Sequence, residues 1–250
     1  MKIGALIIGD EILCGKRQDR HFAFLQETLA KRGLELSWTL IVGDDAAELE
    51  RAMRFSMAGD DLVFSFGGIG ATPDDRTRQT AANVKGVPLV PHPQAVREIE
   101  DKFGEAAYPN RILMGHLPEG CRLIPNPINR VAGFSVDDHH FMPGFPEMAW
   151  PMVEWLLDNE YKNVRDLRPR SERTITITKG RESDLLETMN QIVDDYPDLL
   201  LSSLPHLAAE PYILFSLRGE AAQVETAMQV MIEAVETAGF IWSDYTAGKN

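Results

Sequence analysis

Residues 61–77 read DLVFSFGGIGATPDDRT. The first six, 61–66, are apolar but for the leading Asp61 and Ser65, the pattern of a strand buried on both faces. Three glycines follow, Gly67, Gly68 and Gly70, and a helix is predicted near 74–83. In an open α/β sheet, ligands sit at the carboxyl ends of the strands. Glycines there let backbone N–H groups come close to an anion, and the helix N-terminus adds partial positive charge. The loop then supplies Asp74 and Asp75. Beside a phosphate, paired carboxylates make sense only if a cation bridges them, so a divalent metal is implied. The same residues also suit a plain tight turn with an aspartate capping the helix. The strand–loop–helix setting and the paired aspartates favour the ligand-binding reading.

Toward the N-terminus, residues 2–8 (KIGALII) form another buried strand. A helical periodicity of Phe22, Leu25 and Leu29 stops at Lys31-Arg32-Gly33. Residues 34–42 (LELSWTLIV) read as the second strand. A helix then opens with Asp45 as N-cap and Glu48 three residues on, as in a capping box. Strand, helix, strand, helix, strand in succession implies right-handed crossovers and a parallel sheet covered on both faces.

Two more acidic turns fall at strand ends. Gly9-Asp10-Glu11 follows the first strand and Gly43-Asp44-Asp45 the second. Parallel strands end on one edge, so these carboxylates are expected to meet Asp74 and Asp75 in one crevice. Asp10 could equally cap a turn with Glu11 solvated, and Asp44 is open between a metal ligand or general base and a bystander to the Asp45 cap.

Toward the C-terminus, a helix is expected near 92–104, and 105–130 reads as irregular. Short strands at 131–136 and 139–142 flank Asp137-Asp138 as a hairpin. Pro143-Gly144-Phe145-Pro146-Glu147-Met148 is a rigid helix entry, and on a sharper reading a wall that packs a ligand ring. YKNVRDLRPR (161–170) reads as a linker. Beyond it, strands at 173–178, 199–203 and 212–217 and helices at 182–195 and 220–238 make a β-α-β-β-α unit. The expected organisation is a three-layer α-β-α domain with a mostly parallel sheet over residues 1–160, then a small α+β domain over 170–250.

Composition narrows the function. The 250 residues carry a net charge of −13 with no basic run, which argues against nucleic-acid or anionic-membrane partners. An acidic protein still binds phosphates through backbone amides and a metal. Cys14 and Cys121 are too few for a disulfide framework, the N-terminal apolar stretch is too short for a signal peptide, and no run suits a membrane span. A cytoplasmic protein is expected. The histidines at 21, 92, 116, 139, 140 and 206 show no zinc spacing and read mostly as ordinary surface residues, and no Ser or Cys nucleophile motif is present.

In this order, the motifs resemble the MoaB/Mog-type molybdopterin-binding fold family, nearest to the N-terminal part of the competence/damage-inducible (CinA) proteins. The family's G-D-E-L-L-x-G is Gly9 to Gly15 here, its V-G-D is Val42-Gly43-Asp44, and its G-G-L-G-P-T-x-D-D-x-T is Gly67 to Thr77. A family asparagine matches Asn110, followed by a proline at Pro118; P-G-x-P-x-E-M matches Pro143 to Met148, and Gly180-Arg181-Glu182-Ser183 approximates a tail G-x-x-E-S. Two segments depart. Asp19-Arg20-His21 replaces D-T-N, and 129–134 (NRVAGF) replaces G-T-A-P-G-F.

The resemblance implies metal-dependent hydrolysis of a nucleotide pyrophosphate such as ADP-ribose or FAD. The alternative is binding or adenylylation of molybdopterin. On the first reading Gly67, Gly68, Gly70 and Thr72 hold phosphate oxygens, with Gly9, Asp74, Thr77, Asn110, Pro143, Gly144 and Pro146 as further ligand-binding positions. Asp75 holds Mg²⁺, Mn²⁺ or Co²⁺, Asp44 is a second metal ligand or orients water, and Asp10 and Glu11 extend the acidic site. Family members are homo-oligomers, so a homodimer or homotrimer is implied.

Overall fold

The computed structural model describes residues 2–164, 170–206 and 210–246. It divides into two compact units, residues 1–166 and 167–250.

In the first unit β1 (Ile3–Ile8) leads through α1 (Asp10–Leu13) and α2 (His21–Ala30) to β2 (Trp38–Val42). Then come α3 (Ala46–Ser56), β3 (Leu62–Phe66) and α4 (Thr77–Lys85). A hairpin-like excursion follows: β4 (Leu89–Pro91), α5 (Pro93–Phe103), β5 (His116–Pro118) and β6 (Arg122–Ile124). The unit closes with β7 (Gly133–Val136), β8 (His139–Met142) and α6 (Pro146–Asn159). The main sheet runs β2-β1-β3-β8-β7-β6. The pairs among β2, β1, β3 and β8 are parallel, and β7 and β6 add antiparallel pairs at one side.

Alternation along the strands builds two cores, because successive side chains point to opposite faces. Ile3, Ala5 and Ile7 of β1 and Leu62, Phe64 and Phe66 of β3 face Leu25 and Leu29 of α2 and Met152, Val153 and Leu156 of α6. Leu6, Ile8 and Val63 face the other way, onto Leu49 and Met53 of α3, Ala81 of α4 and Ala95 of α5. This is the three-layer α-β-α arrangement. Each fully buried Leu, Ile or Phe contributes about 1.5–3 kcal/mol of transfer free energy. Asp45 caps α3 by accepting from the N–H groups of Ala47 and Glu48, while Glu48 pairs with Arg51 instead of closing a capping box.

The region 105–130 is less irregular than expected. It supplies β5, which pairs antiparallel with β4, and β6, which extends the main sheet. Three-residue strands lack enough length for a period to show. The linker reading is corrected at its start: Tyr161 is buried in the first unit's core, and its hydroxyl donates to Asp138 Oδ1 at 2.6 Å. The middle of that segment, 165–169, lies outside the described residues.

The second unit is β9 (Arg170–Thr178), α7 (Glu182–Asp195), β10 (Leu200–His206), β11 (Tyr212–Glu220), α8 (Ala221–Thr237) and β12 (Ile241–Asp244). Its antiparallel sheet runs β10-β11-β9-β12. The alternating residues Ile175, Ile177, Ile213, Phe215 and Leu217 pack on Leu185, Met189 and Ile192 of α7 and on Met228, Met231 and Val235 of α8. β12 was not foreseen, because its four residues carry only a weak apolar signal. Glu182 accepts from Ser203 at 2.5 Å, a tie between α7 and β10. Among the described residues no helix is long and apolar enough to cross a membrane.

The surface reading of the histidines fails for three of six. His21, His139 and His140 are buried. The β7–β8 hairpin does form, with Asp137 at φ 52°, and it places His139 and His140 inside the sheet.

Candidate functional site

The carboxyl ends of β1, β2, β3 and β8 open onto one cleft of about 470 Å³, a size typical of small-molecule sites. The glycine loop forms one wall. Gly67 sits at φ +107°, and a Cβ there would lie 2.3 Å from the Ile8 carbonyl oxygen. The end of β3 therefore runs directly against the end of β1, which only glycine permits. Gly67 donates its N–H to the Met142 carbonyl at 3.0 Å, tying the loop to β8. Gly70 faces Asp75, whose Oδ2 would be 2.4 Å from a Cβ at that position.

Asp75 shapes the loop it ends. Its Oδ2 accepts from the Thr72 N–H at 2.9 Å and from the Thr72 hydroxyl. The N–H groups of Gly68, Ile69, Gly70 and Ala71 have no protein acceptor among the described residues. Four successive free donors make a concavity suited to an anion. Buried Arg78 fixes the loop from behind, donating to the Gly70 carbonyl at 2.6 Å and the His116 carbonyl at 3.1 Å. Sequence reasoning missed Arg78, because a cation inside a helix carries no local sign that its target is a loop carbonyl.

The other strand ends meet only in part as expected: Glu11 and Asp44 line the cleft, and Asp10 does not, because its carboxylate is turned onto the Asp44 backbone. Asp10 and Asp44 clasp each other's backbones: the Asp10 N–H donates to Asp44 Oδ2 at 3.0 Å, and the Asp44 N–H donates to Asp10 Oδ1 at 3.2 Å. Asp44 and Glu11 line the cleft opposite Asp74 and Asp75. Partial burial, together with the negative charges of Asp10, Glu11 and Asp74, holds the Asp44 carboxyl above its usual range; the Asp10 N–H opposes this. Hydrogen bonding with Thr72 holds Asp74 below its usual range. Among the described residues, no three His, Cys, Asp or Glu side chains are grouped to hold a metal ion by themselves.

Raised pKa means the folded state favours the protonated Asp44, so ionised Asp44 costs stability at neutral pH. Asp44→Asn is expected to raise the melting temperature by about 1–3 °C at pH 7. That gain should vanish below the ordinary carboxylate range, near pH 4. Thermal melts at pH 7 and pH 3.5 check it, and a lower melting temperature at pH 7 would refute it.

Several predicted positions stand elsewhere. Thr77 is fully buried; its hydroxyl donates to the Gly67 carbonyl at 2.9 Å and its N–H to the Gly68 carbonyl at 3.0 Å. Thr77 thus braces the loop from within and is corrected as a ligand contact. Asn110 is exposed before a 3-10 turn and does not line the cleft. Pro146 is buried and is not among the lining residues, while Pro143, Gly144, Gly9, Gly67, Gly68, Gly70 and Thr72 do line the cleft. Phe145 lines it too, within the segment read as a wall for a ligand ring, while Arg17, Met114 and Asn129 are lining residues that sequence reasoning did not name as ligand contacts. Asn129 was visible as a departure from the family pattern. Its side chain is held by Asn126 Nδ2 at 2.8 Å.

A family model described as "Probable molybdopterin binding domain" matches residues 4–163. This chain belongs to that family. The matched span runs from β1 through α6 and takes in the whole cleft. Within the molybdopterin-binding domain family the similarity is to CinA-like proteins. One from Anaeromyxobacter sp. (strain Fw109-5) is 33% identical over 203 residues, which cover 78% of this chain and 49% of that protein. One from Syntrophomonas wolfei is 27% identical over 249 residues, 95% of this chain and 59% of that protein. The chain thus spans about half the length of the curated relatives it matches. The crystal structure of CinA from Thermoplasma acidophilum, a protein described as of unknown function, matches with a TM-score of 0.57 at 29% identity. It covers 64% of this chain and 98% of that one. The first unit is a domain of the molybdopterin-binding family, of the CinA-like kind.

Proposed function

We propose that the chain is a metal-dependent hydrolase of a nucleotide pyrophosphate, ADP-ribose and FAD being representatives of that class. The observation that carries this reading is the pairing of four free backbone N–H donors, Gly68 to Ala71, with carboxylates from three strand ends in one cleft. The donors suit a phosphate. The carboxylates, alone, would repel it.

A divalent cation reconciles the two. Carboxylate oxygens are hard donors suited to Mg²⁺ or Mn²⁺. Burial first, and after it the negative charges of Asp10, Glu11 and Asp74, raise the Asp44 carboxyl, and a cation would relieve the charge part of that cost. Asp44 and Asp75 are the residues that would hold it, with phosphate oxygens of the ligand completing its shell, since the protein offers no group of three ligands among the described residues. Bound there, the metal would neutralise charge on the departing phosphate. The glycine loop would orient the pyrophosphate, and Asp44 would orient the attacking water.

A second reading is a protein that binds a pterin or nucleotide phosphate without cleaving it. The cleft wall formed by Asn129, where the family has glycine, favours it.

The test is AMP release from ADP-ribose, FAD and NAD with Mg²⁺, Mn²⁺ or Co²⁺. Asp75→Asn and Asp44→Asn are each expected to lower turnover about 100-fold or more. Circular dichroism should show both variants folded. Turnover retained in Asp75→Asn removes that residue from the mechanism. Absence of AMP from all three substrates in the wild type moves the weight to the binding reading.

A further inference from the structure

Among the described residues lining the cleft, Arg17 is the only lysine or arginine, against the carboxylates Glu11, Asp44, Asp74 and Asp75. Among the described residues it forms no ion pair with any of them. Its guanidinium carbon lies 5.5 Å from the centre of the Phe145 ring, within cation–π range. Its backbone is held, the N–H donating to the Glu11 carbonyl at 2.9 Å.

Phe145 breaks a local rule. It is the N-cap of α6 and makes no capping bond. Ser, Thr, Asp or Asn there would satisfy helix N–H groups and typically add about 1 kcal/mol. The ring is 54% exposed and lines the cleft. An exposed aromatic at a position that calls for a small polar residue points to a role outside folding. The same lining carries the apolar side chains of Met114, Val131 and Met148. Thioethers pack well against aromatic rings.

We infer that Arg17 and Phe145 form the specificity end of the cleft, where Phe145 stacks the planar heterocycle of the ligand and Arg17 pairs its phosphate. The ligand class is a heterocycle carrying a phosphate, such as a 5′-nucleotide. With the guanidinium near one side, the exposed ring offers surface for a base, and base–aromatic stacking is worth about 1–3 kcal/mol. In a chain of net charge −13, Arg17 is also what draws an anionic ligand in. This inference rests on the nucleotide reading above but not on hydrolysis.

The test is calorimetric titration with 5′-AMP and with ribose 5-phosphate, in Mg²⁺ and again in EDTA; both ligands are monophosphates with no pyrophosphate bond, so turnover does not enter. Phe145→Ser should weaken AMP about tenfold and leave ribose 5-phosphate within twofold. Serine is a better N-cap, so this variant should melt no lower than wild type. Arg17→Gln should weaken both ligands about fivefold to tenfold and flatten their salt dependence. The inference is overturned if either variant binds AMP within twofold of wild type. It also falls if Phe145→Ser loses both ligands equally, or if wild type binds no AMP at millimolar concentration. The expected binding pattern without AMP release from any dinucleotide removes the hydrolase and leaves this end of the cleft. Turnover with an unaltered KM in both variants removes this end and leaves the hydrolase.

Discussion

Gly67→Ala is expected to destabilise the protein by about 3–4 kcal/mol, to lower its melting temperature by about 10 °C, and to abolish phosphate binding. The cause is a collision between two backbones. The added Cβ would fall 2.3 Å from the Ile8 carbonyl oxygen, far inside contact distance, at a φ of +107° that L-residues rarely adopt. A flexible side chain could swing away; the Ile8 carbonyl belongs to β1, which is paired on both sides, and cannot. Relief must come from moving the glycine loop. That movement breaks the bond from Gly67 to Met142 and the brace from Thr77, and the free N–H groups lose their common aim. Gly59→Ala is the control, since a Cβ there meets nothing within 4 Å, and it should change stability by less than about 0.5 kcal/mol. Denaturant melts of both variants decide the matter, and equal stabilities would show that the loop adapts.

Acid should unfold this protein early. Burial pushes the imidazoles of His139 and His140 down to about 3, against about 6.5 in the unfolded chain. A depressed folded pKa gives stability that is complete above pH 6.5 and is lost as pH falls toward 3. At pH 4.5 the two-unit gap corresponds to roughly 2.7 kcal/mol per histidine, a large share of the 5–15 kcal/mol of a typical domain. The two residues reach neutrality differently. His140 lies in a relay: Ser135 donates to Nδ1 at 2.7 Å, Nε2 donates to the Tyr161 hydroxyl at 2.8 Å, and that hydroxyl donates to Asp138. Because the tyrosine proton goes to the carboxylate, the imidazole must carry its own proton on Nε2. His139 stacks on Phe141 with ring centres 4.2 Å apart, and neither of its nitrogens has a partner.

His139→Leu therefore removes a titration without breaking a hydrogen bond. Stability at pH 7 should hold or rise, since an unpaired buried polar group is lost. The proton uptake on unfolding between pH 6.5 and 4.5, to which buried His21 also contributes, should fall by about one. Urea melts across that range measure the slope, and an unchanged slope would refute the buried neutral state of His139.

The sequence made some of this plain because the signals were local. The β1 and β3 strands are unbroken apolar runs, α7 and α8 carry clear helical spacing, and the glycine loop with its aspartates stands at a strand end. β4, β5, β6 and β12 were invisible as such because three or four residues are too few for a strand period to show, and the partners of β4, β5 and β12 are distant in the chain. The histidines misled for a related reason. Polarity predicts exposure on average, but strand position and a hairpin carried His139 and His140 into the interior.

By itself, the sequence determined the α/β architecture of the first unit and that the acidic turns after β1, β2 and β3 share one edge of the sheet, since parallel strands must end on one edge; which of their carboxylates face the cleft it left open. Only the tertiary structure decided which neighbours complete the cleft. It turned Thr77 inward, left Asn110 outside, and brought Arg17, between α1 and α2, against Phe145 at the entry of α6. Periodicity and turn chemistry are written within a few residues of the position they govern. Side chains more than a hundred residues apart meet only through the packing of every layer between them.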